Sequence, residues 1–184
     1  MSLICGKRTI LVGLCLAILL IATGCTSDDN KIQTKPLSNI TTYKLGSTLE
    51  FREKQNQEFL VSGWSGPEPW GRCTDGPIAV MKFKLTDAPV QGSKAVLSLV
   101  GSMFPSDGSQ KVEISLNGLK IGEIKAKGPV SKPFSLEFDA NLLKEINVIA
   151  FAVNKPTSPR ESGVSDDQRK LGLGLSSMQI NMGR

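Results

Sequence analysis

The sequence predicts an all-β fold, an antiparallel β-sandwich of jelly-roll kind with about eight strands. Three observations carry this expectation. Short runs of alternating apolar residues recur with turn residues between them, no long stretch repeats at helical spacing, and an Asn-Gly pair separates two of the alternating runs.

The runs come in a regular order. Phe59-Leu60-Val61 is the first, followed by Ile78 to Leu85 (IAVMKFKL) and Ala95 to Val100 (AVLSLV). Val112 to Leu116 (VEISL) places Val112, Ile114 and Leu116 on one face, because side chains alternate along a strand. Asn117-Gly118 then accepts the positive φ that a type I′ turn needs at both central positions, so Val112 to Ile124 is predicted to be a hairpin whose second arm is Leu119 to Ile124 (LKIGEI). Phe134 to Phe138 (FSLEF), Asn147 to Val153 (NVIAFAV) and Leu171 to Ile180 (LGLGLSSMQI) complete the set. Gly172 and Gly174, inside the last run, mark close packing or a bulge. Asn141 to Glu145 has room for one helical turn, and no repeat of solenoid period is visible.

Ahead of these runs stands a segment of different character. Lys7 and Arg8 precede an apolar run from Ile10 to Ala22, which ends at Thr23-Gly24-Cys25 and the polar Thr26-Ser27-Asp28-Asp29. That order of charged, apolar and small residues is a secretory leader. Its apolar run of about 13 residues is short of the roughly 20 that span a bilayer. The small residues directly before Cys25 resemble the lipobox of bacterial lipoproteins, which implies that residues 1–24 are a leader cleaved before Cys25. The resemblance also implies acyl chains on the Cys25 sulfur, with membrane lipid as a partner. Two or three such chains anchor essentially permanently. In that family an aspartate after the cysteine holds the protein in the inner membrane; Thr26 stands there, which implies the outer membrane in a host with two. Residues 25–39 are polar, carry Pro36 and read as a tether. Residues 40–184 are expected to be a single domain, since about 160 residues without the leader suffice for one core.

Composition excludes several chemistries. The formal charge of +5 includes Lys7 and Arg8 and is spread among interspersed acidic residues, without the basic stripe of a nucleic-acid binder. With Cys5 and Cys15 in the leader and Cys25 lipidated, Cys73 remains alone and reads as a small buried hydrophobe. The chain has no histidine, which removes Ser-His-Asp and Cys-His catalysis and the commonest metal ligand. There is no phosphate-cradling glycine loop, zinc spacing or calcium loop, so no metal and no cofactor are implied.

Two segments are too specific in composition to be plain connections. Ser62 to Gly76 (SGWSGPEPWGRCTDG) holds both tryptophans, Trp64 and Trp70, with Glu68, Arg72 and Asp75. Indole beside carboxylate and guanidinium groups suits a sugar, whose apolar face stacks on the ring while its hydroxyls meet the charges. The same residues also suit plain closure of one sandwich end, with Ser65 and Glu68 as a capping box. Asn154 to Gly172 carries Arg160, Asp166, Asp167 and Arg169, with Ser165 and Gln168 spaced to cap a short turn. An ion pair between a carboxylate here and Arg72, Arg160 or Arg169 would pin the two segments together.

Gly63-Trp64-Ser65, Glu68, Trp70-Gly71-Arg72 and Asp75-Gly76, followed by Ser158-Pro159, Gly163, Ser165, Asp167, Arg169 and Leu171-Gly172-Leu173, resemble an uncharacterised β-sandwich domain. That domain occurs at the C-terminus of membrane phosphoglycerol transferases, which modify periplasmic glucans, and of some glycosyltransferase-associated proteins. The resemblance spans about Tyr43 to Ile180 and implies a glycan context; Cys73 stands where the family usually carries an aromatic residue. The residues therefore support a non-catalytic module for envelope polysaccharide or glucan, with Trp64 and Trp70 stacking. Glu68, Arg72, Asp75, Arg160, Asp166, Asp167 and Arg169 would supply polar contacts. The alternatives are a scaffold that docks an envelope protein through these same loops, and a hydrolase using two of the carboxylates.

Overall fold

Alternating side chains fold into strands wherever one face can be buried, and the computed structural model, which describes residues 40–183 apart from 106 and 129, has eleven of them. The expected leader, Cys25 and the tether lie outside the described residues. The strands are β1 (Thr42–Tyr43), β2 (Thr48–Glu50), β3 (Leu60–Ser62), β4 (Arg72–Asp75), β5 (Ile78–Leu85) and β6 (Lys94–Met103). They continue with β7 (Lys111–Leu116), β8 (Leu119–Lys125), β9 (Lys132–Asp139), β10 (Ile146–Val153) and β11 (Leu171–Met182). One sheet runs β1-β5-β10-β7-β8 with β3 also paired to β5, and the other runs β2-β11-β6-β9 with β4 also paired to β11. All pairs are antiparallel except β1 with β5. The all-β sandwich expected from the alternation is present.

Every expected run is a strand, with ends that differ by a few residues. Three strands were not expected, β1, β2 and β4, because they are short and polar and their pairing is supplied by neighbours distant in sequence. The helical turn expected within Asn141 to Glu145 is a 3-10 turn at Ala140–Leu142, with Asp139 accepting from Asn141 N at 2.8 Å, and another 3-10 turn, Gln57–Phe59, leads into β3.

The core lies between the sheets. Ala79, Met81, Phe83 and Leu85 of β5 face Leu97 and Leu99 of β6 and Leu173 and Leu175 of β11 across it, with Phe51 and Phe151 fully buried. Truncating Phe151 to alanine would cost about 3–5 kcal/mol on the general scale of aromatic core residues. Strand β11 shows how register decides burial. Odd-numbered Leu171, Leu173 and Leu175 point inward, a bulge between Leu175 and Ser177 adds one residue, and from there even-numbered Met178 and Ile180 point inward.

The β7–β8 hairpin turns at Asn117 (φ 52°) and Gly118 (φ 84°), the two positive values that the Asn-Gly pair predicts. Asn117 also welds the turn to the sheet. Its Nδ2 donates to Leu142 O (2.8 Å) and Asn147 Oδ1 (3.0 Å), and its Oδ1 accepts from Val148 N (2.9 Å). Asn147 is fully buried, and its amide is satisfied by the backbone of Lys144. Among the described residues no helix is long and apolar enough to cross a membrane.

Candidate functional site

The segment from Ser62 to Gly76 is a hairpin that passes from one sheet to the other. Strand β3 ends at Ser62 in the first sheet and β4 belongs to the second. Between them Asp75 N donates to Gly63 O (2.7 Å), Ser65 N donates to Cys73 O (2.8 Å), and Trp64 stands opposite Thr74. Reciprocal bonds between Glu68 and Gly71 close the far end, at 3.1 and 3.3 Å. Ser65 and Glu68 do not form a capping box. Ser65 Oγ accepts from Cys73 N instead (3.2 Å), and Glu68 opens the tight turn that Gly71 closes.

Two glycines make the crossing possible. At Gly63 (φ 73°) a Cβ would collide with Ile78 O, and at Gly71 it would collide with Leu175 O, so the hairpin lies directly on strands β5 and β11. Between these contacts β4 alternates its side chains. Arg72 and Thr74 point to one side, Cys73 and Asp75 to the other.

That alternation separates the tryptophans. Trp64 pairs with Thr74 and so lies on the inner side; its ring meets the buried Phe151 edge-on at 5.4 Å, and its Nε1 donates to Val80 O at 2.9 Å. Gly174 pairs with Cys73 on the outer side, and its missing Cβ leaves room for the ring of Trp70, whose Cη2 would lie 2.8 Å from that atom. Trp70 is 44% exposed. The expectation of both indoles on one platform is therefore corrected: Trp64 is half-buried and anchored to the core on the inner side, and Trp70 stands exposed on the outer side.

The two segments do meet, through Arg169. Its Nη1 donates to Glu68 Oε1 at 3.1 Å, while Nε and Nη2 donate to Asp167 at 2.9 and 2.6 Å. These three side chains are between a quarter and two-fifths exposed. The hydrogen bonds from Arg169 hold the Asp167 carboxyl below the usual carboxylate range, and the same bonds raise the guanidinium. Asp75 adds a second link: its Oδ1 accepts from Lys170 N (2.9 Å), beside a backbone bond from Gly76 N to Lys170 O (2.7 Å).

Arg72 behaves differently from Arg169. It is only 6% exposed and makes no ion pair among the described residues. Nη1 donates to Ser65 O (3.1 Å) and Nη2 to Gln57 Oε1 (3.5 Å), while the buried Nε has no acceptor among the described residues. Arg160 and Asp166 are exposed and make no ion pair among the described residues, so neither joins the cluster.

The second segment is shaped by a device its sequence displays. Ser158 and Glu161 form a reciprocal capping box, with Ser158 N donating to Glu161 Oε2 and Glu161 N to Ser158 Oγ, both at 3.1 Å. Ser-Pro-Arg-Glu is the signature of that box, with proline at the first position of the turn. The box expected at Ser165 and Gln168 is absent; Ser165 Oγ accepts from Asp167 N at 3.4 Å. Cys73, under this cluster, is buried and unpaired, and burial pushes its thiol up to about 11. Among the described residues no three acidic or cysteine side chains converge as metal ligands.

Several solved structures overlap with the chain. One is a family 36 carbohydrate-binding module of a multidomain xylanase from the hindgut metagenome of Trinervitermes trinervoides, 10% identical with a TM-score of 0.41 over 75% of this chain and 96% of that one. A second is a family 36 module in complex with calcium and xylotriose, 12% identical with a TM-score of 0.41 over 73% and 99%. A third is a module of Cellvibrio mixtus lichenase 5A in complex with cellotriose, 10% identical with a TM-score of 0.39 over 75% and 98%. Likeness of this degree carries no information about a ligand. No curated protein matches the chain in sequence. The sequence does match the domain of unknown function DUF7024 over residues 41–182, nearly all of the described residues, and the chain belongs to that family.

Proposed function

We propose that this protein is a lipid-anchored, non-catalytic module that binds cell-envelope polysaccharide or glucan through Trp70. The carrying observation is one indole, 44% exposed, held over Gly174 and two residues from Glu68, which Arg169 joins to Asp167. A ring seated where a neighbour has no Cβ needs little further ordering when a sugar stacks on it, which lowers the entropic cost of binding. Glu68, two residues before Trp70, and Asp167, held by the same guanidinium, are the groups that would meet the sugar's hydroxyls. Asp167 is held ionised by Arg169, the opposite of the raised pKa a general acid requires.

Titration of the full chain in detergent with periplasmic and other envelope glucans tests the reading. Trp70→Ala is expected to weaken binding at least tenfold, whereas Trp64→Phe leaves it nearly unchanged. Unchanged affinity in Trp70→Ala, or no binding by any envelope glucan, refutes the assignment. The resemblance to the C-terminal module of phosphoglycerol transferases makes periplasmic glucans the first ligands to try.

Support for the anchor comes from the leader and the small residues before Cys25. Radiolabelled palmitate is expected to enter the wild-type chain and not Cys25→Ser, and to co-fractionate with the outer membrane in a two-membrane host, as Thr26 implies. Equal labelling of both chains removes the anchor.

A further inference from the structure

We infer that the hollow on the inner side of the hairpin is a second, separate site, which takes an anionic group carried on a sugar, a carboxylate or a phosphate ester, with Arg72 as the residue that binds the charge. The hollow has a volume of about 240 Å³ and is bounded by Gln57, Leu60, Ser62, Trp64, Ser65 and Arg72.

Charge carries the argument. An arginine left only 6% exposed is expensive unless an acid offsets its charge, and buried arginines are ordinarily paired. Arg169, more exposed, has two carboxylates; Arg72, nearly sealed, has none among the described residues. Its contacts among the described residues are a backbone carbonyl and, at 3.5 Å, a neutral amide, and its Nε has no acceptor among them. A guanidinium has five N–H donors in a fixed fork, so most of this one's capacity is unused. An oxyanion in the hollow would supply the missing acceptors and the missing charge together.

The remaining walls describe the rest of the ligand. Trp64 and Leu60 form an apolar side, and Ser62, Ser65 and Gln57 offer neutral hydrogen-bonding groups. Pockets for drug-sized ligands hold about 300–1,000 Å³, so this one suits a single ring or a chain end. Among the described residues no second cation lines it, which fits one negative group per ligand. That the group rides on a sugar rests on the glycan-binding reading above; the requirement for an anion does not.

Fluorescence separates the two sites. In a Trp70→Phe chain Trp64 is the only indole, and its emission reports the hollow while the outer platform is altered. Sodium glucuronate or glucose 6-phosphate is expected to change that emission saturably, and glucose is not. Gln57→Glu, at an exposed position, brings a carboxylate beside Arg72 and is expected to weaken both acids at least tenfold by occupying the cation from within. Arg72→Lys is expected to do the same by removing the fork. An equal response to glucose, no response to either acid, or undiminished affinity in Gln57→Glu overturns the inference. Inorganic phosphate titrating as tightly as the sugar acids overturns the sugar component. If neutral glucans fail to bind the wild-type chain while glucuronate still titrates Trp64, the Trp70 reading falls and this one stands.

Discussion

Arg169 joins two segments whose partners are 101 residues apart, so cutting that joint tests whether the outer cluster is a built platform. The perturbation is a double-mutant cycle of Glu68→Ala and Arg169→Ala. Its magnitude follows from geometry: the Glu68 bond is charge-assisted at 3.1 Å, yet the two side chains are 32% and 38% exposed, so solvent screens much of the attraction. Exposed ion pairs of this kind give about 0.2–1 kcal/mol, and the well-placed contact here is expected in the upper half of that range. For a domain near 150 residues that corresponds to roughly 2–4 °C in Tm per kcal/mol. Urea denaturation of the four chains gives the coupling, and it should shrink at high salt. Because Glu68 and Trp70 share one tight turn, Glu68→Ala should also weaken the near-ultraviolet circular dichroism of Trp70. The pH dependence has a definite sign. The folded Asp167 carboxyl lies below its unfolded value, so its contribution is fully present above about pH 4, the ordinary carboxylate range, and is lost as pH falls through the folded value. A Glu68–Arg169 coupling indistinguishable from zero, or a contribution that grows below pH 4, would refute this account.

Other outcomes follow from single positions. Ser158→Ala removes one half of the capping box and should cost about 1 kcal/mol by thermal denaturation, with Glu161→Ala adding little to it. Gly71→Ala forces a methyl into Leu175 O and should cost about 1–3 kcal/mol or more, measured by denaturant midpoint, with glucan affinity falling as the turn lifts from β11. Cys73, its thiol pushed up to about 11, should react with iodoacetamide at pH 8 only at the rate of unfolding. Rapid labelling would place it nearer the surface than the sandwich implies.

The sequence alone determined the strands that bury their own faces and the turns whose residues have special dihedrals. Ile78 to Leu85 alternates without interruption and is β5 at those limits, and Asn117-Gly118 turns where positive φ is needed. Strand β4 was hidden because Arg-Cys-Thr-Asp has no apolar alternation; it exists because β11 and the Gly63–Ser65 segment offer it backbone partners. The site residues were legible as a group and not as an arrangement. Composition brought Trp64, Trp70, Arg72 and Arg169 to notice, but which side of a strand each occupies depends on the parity of β4 against β11. Tertiary structure decided that Arg169 has acids and that Arg72 has none among the described residues, because ion pairing depends on distance across the fold, and no local spacing encodes it.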